Sequence, residues 1–136
     1  MMDEQDLEGS RELLYKAVEN LGPSGYINKI NVNVLNIIYS TISDTYYYEE
    51  DLVSAQESLK IIVRNEQDSE DYIYYSVLLA EYYIETGEAL LAEQVFDTII
   101  PLYEASSEMF KTVMPWNRLD MLEASIAYNN KNYQIF

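Results

Sequence analysis

Most of the side chains in this chain that are able to do acid-base work are carboxylates and phenols. Histidine and cysteine are absent from its 136 residues, so the commonest general base and the commonest activated nucleophile are both missing. Carboxylates do crowd together, as Glu49, Glu50 and Asp51 and again as Glu66, Asp68, Glu70 and Asp71. A catalytic pair needs two carboxyls converging on one bond, whereas consecutive acids at a helix end splay round it. They read as solvated turn residues, and no enzyme is expected. Neither run has the spaced oxygen ligands and central glycine of a calcium loop, so the expectation is no metal and no cofactor. Gly22-Pro23-Ser24-Gly25 has two glycines in a turn, but no lysine-threonine or lysine-serine follows, and the helical pattern precedes the turn instead of following it. A phosphate loop needs both.

What remains is chemistry of contact. The fourteen tyrosines are too closely spaced to face inward together, since Tyr46-Tyr47-Tyr48, Tyr72, Tyr74, Tyr75 and Tyr82-Tyr83 cover several faces of a helix. Exposed tyrosine is a favoured contact residue, offering a broad apolar body and one hydroxyl at low entropic cost. Lys and Arg number 8 against 24 Asp and Glu, a formal charge of −16. Such a field repels phosphate backbones and anionic membranes and attracts basic proteins or peptides. The expected partner is a basic protein or peptide, with no nucleic acid and no membrane. No apolar run approaches the ~20 residues that span a bilayer, and MMDEQDLEG has neither the basic start nor the apolar centre of a signal peptide. A soluble cytoplasmic protein is expected.

The elements that position these residues read as helices. Within residues 70–104, Ser76, Leu79, Ala80 and Tyr83 share one helical face, and Ala92, Phe96 and Ile99 share another beyond Gly87, whose freedom at positive φ suits a hairpin turn. The first stripe recurs as Tyr39, Ile42, Ser43 and Tyr46 and as Met121, Ala124, Ser125 and Tyr128. The second recurs as Ser10, Leu14 and Ala17 and as Ala55, Leu59 and Ile62. Tyr46, Tyr83 and Tyr128 are therefore expected in the core. Further expectations are a first helix over residues 7–21, a helix from about Asn33 to Tyr48 despite the strand-like start of INVNVLNII, N-caps within Asp68-Ser69-Glu70-Asp71, and a helix ended or kinked at Pro101. A kinked or extended helix then runs to about Thr112, and Pro115 lies near the first turn of the last one. With 49% hydrophobic residues, the chain is able to bury roughly two thirds of its unfolded surface as one domain over residues 1–136, or as a piece of a longer array.

These stripes resemble the tetratricopeptide repeat family, with Ser76, Leu79, Ala80, Tyr83, Gly87, Ala92, Phe96 and Ile99 at its helix A, turn and helix B positions. The departures are Ser76 for an aromatic, Ile99 or Ile62 for an alanine, Glu50 and Asn132 for the turn glycine, and tyrosines 37 and 45 residues apart. The resemblance covers about residues 7–133 and implies an all-α fold of antiparallel helical hairpins stacked as a short right-handed superhelix of about six helices. Its inner wall would comprise Ser40, Asp44, Tyr47 and Tyr48, then Tyr74, Val77, Glu81, Ile84 and Glu85, then Leu122, Ile126, Asn129 and Asn130. From these, Asp44, Tyr47, Tyr48, Tyr74, Glu81, Glu85, Asn129 and Asn130 are the expected partner-binding residues of an acidic, tyrosine-lined groove in an interaction scaffold. The lysines and arginine of a carboxylate clamp are missing from it. The alternatives are a secretion-type chaperone and an acidic DNA mimic, and homo-oligomerisation through the terminal helices is a further expectation.

Overall fold

The computed structural model describes residues 4–21, 32–66 and 68–134, the side chains of 4, 5 and 131–134 excepted. Gly22-Pro23-Ser24-Gly25, the side chain of Asn132, and Ile135 and Phe136 lie outside them. The described chain is all-α, with helices α1 (Glu4–Asn20), α2 (Val32–Tyr48), α3 (Leu52–Asn65), α4 (Ser69–Glu85), α5 (Ala89–Glu104), α6 (Glu108–Val113) and α7 (Trp116–Gln134). There is no strand among the described residues. It divides into two compact units, Met1–Asn65 and Glu66–Phe136.

In the first unit α2 and α3 form a hairpin. Ile42 and Ser43 are buried on α2, as are Ala55, Leu59 and Ile62 on α3, so the α3 stripe and the middle of the α2 stripe face inward, with Tyr39 and Tyr46 half-buried. The Ser43 hydroxyl donates to the Ala55 carbonyl at 3.0 Å, meeting the need of a buried hydroxyl for a partner. The turn is closed by the Asp51 amide donating to the Tyr46 carbonyl at 2.9 Å, with Glu50 in the left-handed region at φ 63°. The Asp51 carboxylate then accepts from the Ser54 amide at 3.1 Å and caps α3. α1 packs on α2. Arg11 forks onto Glu49 at 2.8 and 3.1 Å, its guanidinium lies 4.2 Å from the centre of the Tyr46 ring, and the Tyr15 and Tyr46 hydroxyls are 3.3 Å apart.

In the second unit α4 and α5 repeat the hairpin. Its turn is built the same way, with the Glu88 amide donating to the Tyr83 carbonyl at 2.8 Å and Gly87 at φ 77°. Glu50 and Gly87, 37 residues apart, thus do the same backbone work, and Gly87 does it without the steric penalty of a Cβ. Asp68 caps α4, accepting from the amides of Glu70 and Asp71. α4 buries Ile73, Ser76, Val77, Leu79, Ala80 and Tyr83, and α5 buries Ala89, Ala92, Phe96, Ile99 and Tyr103. α7 packs on both.

Several sequence expectations are corrected here. α7 buries Leu119, Leu122 and Ile126, leaving Met121 and Tyr128 71% and 66% exposed. The third stripe is therefore not core, because the helix is rotated to bury a second apolar row that its sequence also contains. Tyr83 is buried, Tyr46 half-buried and Tyr128 exposed. α5 runs through Pro101 to Glu104; the proline and Asp97, whose carbonyl loses a helical donor, are both on the exposed side. The extension to Thr112 is replaced by a separate short helix, α6. Ser107 caps it by accepting from the Phe110 amide at 3.1 Å, and Glu70 of α4 accepts from the Ser107 amide and hydroxyl at 3.0 and 2.8 Å. Tyr103 is fully buried, donates its hydroxyl to the Met114 carbonyl, and meets Trp116 edge-on at 4.6 Å, joining α5 to the start of α7.

Candidate partner-binding surfaces

A helix with 3.6 residues per turn brings Val34, Ile37, Thr41, Asp44 and Tyr48 into one row along α2. This row lies away from the buried face. Ile37 is 64% and Tyr48 77% exposed, Val34 and Asp44 are exposed, and Thr41 is half-buried with its hydroxyl on the Ile37 carbonyl. Tyr47 stands exposed beside the row. The first unit thus brings Asp44, Tyr47 and Tyr48 together on the last turns of α2. The row also contains Val34 and Ile37, which precede the repeat stripe that begins at Tyr39 and so are not among the expected wall residues. The helical period alone separates buried Leu35, Ile38 and Ile42 from exposed Val34 and Ile37.

Thirty-seven residues later in the chain, α4 has the corresponding row Tyr74, Leu78, Glu81 and Glu85, of which Glu85 is exposed and the other three are half-buried. Tyr74 meets Tyr75 edge-on at 5.2 Å. Glu81 accepts from Arg118 of α7 at two points, Nε at 3.1 Å and Nη2 at 2.8 Å. Asn129 donates to the Ser125 carbonyl of its own helix at 2.7 Å, and Asn130 donates to Glu93 of α5 at 2.7 Å. The second unit therefore engages Glu81 and both asparagines internally, and Glu85 is exposed. Val77, Leu122 and Ile126, placed on the inner wall by the resemblance, are buried and unable to contact a partner.

The electrostatics follow from where the few cations go. Of the three arginines in the chain, Arg11 and Arg118 are held in two-pronged pairs with Glu49 and Glu81, and the hydrogen bonds to these carboxylates raise both guanidinium pKa values. Each pair offsets one cation with one carboxylate, and the excess of acids over bases is unchanged. Asp44 has the opposite situation: partial burial takes some of the hydration from its carboxyl and pushes its pKa up, with no cation offsetting the loss among the described residues. Asp71 is raised as well, by burial first and then by Asp68, Glu66 and Glu70. Such a surface attracts cations. No group of three or more metal-ligating side chains occurs among the described residues, and no described helix is long and apolar enough to cross a membrane.

No family model, curated protein or solved structure matches the chain.

Proposed function

We propose that the protein is an interaction scaffold, built from divergent tetratricopeptide-like hairpins, that binds a basic or aromatic-anchored peptide or subunit through acidic, tyrosine-bearing surfaces. The observation that carries this reading is a chain with a net charge of −16 in which Arg11 and Arg118 are held in pairs with Glu49 and Glu81, while Tyr47 and Tyr48 stand exposed beside Asp44. Two hairpins with the same 37-residue offset and the same turn closure support the family-like architecture. Desolvated acids next to aromatic contact area are what a cationic partner requires.

The experiment is a titration with an arginine- and tyrosine-containing peptide at several salt concentrations. Binding should weaken steadily with salt, and the double reversal of Asp44→Lys and Glu85→Lys should weaken it about tenfold or more. Glu85 is chosen over Glu81 because reversing Glu81 would also release Arg118. Binding that ignores both salt and the reversals would overturn the proposal.

A further inference from the structure

The molecule contains its own example of how such a row is engaged. On α4, the acid of the row, Glu81, is gripped by an arginine brought by a neighbouring helix, α7. On α2, the acid at the corresponding place, Asp44, is exposed and meets no cation among the described residues, and the apolar members Val34 and Ile37 stand open on the same side. We propose that the outward row of α2 is a docking site for one amphipathic, arginine-bearing helix of a partner protein, which presents its guanidinium to Asp44 as Arg118 presents its own to Glu81. This rests on the reading of the protein as a scaffold for basic partners and specifies the partner's form.

The occupant is a helix for a physical reason. An extended peptide gains much of its affinity by pairing its backbone with a strand edge, and every described element here is helical, with its backbone groups already bonded within the helix. Contact must come from side chains. From Val34 to Tyr48 the row is about 21 Å long at 1.5 Å per residue, and its members recur at steps of three and four, the spacing at which a second helix laid alongside presents its own anchors. Charge selects the cationic partner: an acidic helix would meet both Asp44 and the field of the whole chain. Arginine fits better than lysine because its planar fork satisfies both carboxylate oxygens.

The test uses a fluorescein-labelled helical peptide of leucine, alanine and arginine, with apolar and cationic residues on one face, at 0.15 M salt against the full chain. A second peptide of the same charge carries two internal prolines. The helical peptide should bind, and the proline-broken one should bind about tenfold more weakly. Ile37→Ser and Tyr48→Ser, which alter no charge, should each weaken binding about fivefold or more, and Asp44→Asn should abolish the preference for arginine over lysine in the peptide. Val53→Ser, at an exposed apolar position on α3, should change nothing. Equal binding of the two peptides, or equal losses from Val53→Ser and Ile37→Ser, would overturn the helix-docking site and leave the charge-based scaffold reading standing. Absence of salt-sensitive binding by either peptide would overturn both.

Discussion

Glu81 on α4 and Arg118 on α7, 37 residues apart in the chain, form a two-pronged ion pair at 2.8 and 3.1 Å, and α7 is positioned against α4 by it. Both side chains are about one-third exposed, so water screens part of the attraction, but the fork geometry places the pair above an ordinary surface salt bridge. Arg118→Ala should destabilise the second unit by about 1 kcal/mol. A double-mutant cycle with Glu81→Gln in urea denaturation checks this, and a coupling energy near zero would show the pair to be decorative.

The two hairpin turns make a matched comparison. Glu50 holds a left-handed backbone at φ 63° where its counterpart is a glycine at φ 77°, and a side chain costs roughly 1 kcal/mol in that region. Glu50→Gly should therefore stabilise the first unit by about 0.5–1 kcal/mol, and Gly87→Ala should destabilise the second by about 1 kcal/mol or more. No side-chain clash would confuse the second variant, since the space around the Gly87 Cα is open. Thermal melting of both variants decides it, and shifts of the same sign would contradict the assignment.

Tyr103 should be the most sensitive aromatic. Its ring is fully buried, and its hydroxyl satisfies the Met114 carbonyl just before α7. Tyr103→Phe removes only that donor and should cost about 1–2 kcal/mol. Trp116 is the sole tryptophan and touches the Tyr103 ring, so its fluorescence reports the result. An unchanged emission spectrum in Tyr103→Ala would show that the two rings do not pack in solution.

Alkaline pH should loosen α1 from α2. Burial, with the hydrogen bond to Tyr46 adding to it, pushes the Tyr15 phenol up to about 12 from an ordinary value of 10.0. Between these values the unfolded chain loses the proton and the folded one keeps it, so stability falls as pH rises from 10 towards 12. Tyr15→Phe should flatten that part of the profile, and a slope unchanged by the substitution would assign the effect to other tyrosines. The Asp44 carboxyl is also raised. Its charge is held at a cost, so Asp44→Asn should leave stability at pH 7 unchanged or slightly higher while weakening partner binding.

Much of this was legible wherever one row of residues had a single reading. Ala80, Tyr83, Ala92 and Phe96 are legible as core because their helical spacing recurs on both sides of Gly87, and Glu50 is legible at the turn from its offset from Gly87. Two rows compete in α7, Met121 with Tyr128 and Leu119 with Leu122 and Ile126, and periodicity does not choose between them; packing on α4 and α5 does. The Glu81 and Arg118 pair was missed although its 37-residue spacing equals that of Tyr46 and Tyr83, a signal available to anyone pairing opposite charges at the repeat offset. α6 was missed because its brevity makes it depend on Glu70 and Ser107, a contact between residues far apart in sequence.

The most direct measurement is an amide-resolved NMR titration of the whole chain with the arginine-bearing helical peptide. The account predicts that shifts concentrate along Val34, Ile37, Asp44 and Tyr48 of α2 and diminish with added salt. Shifts confined to the acidic turn at Glu66 and Asp68–Asp71, or scattered over every acidic segment alike, would contradict it.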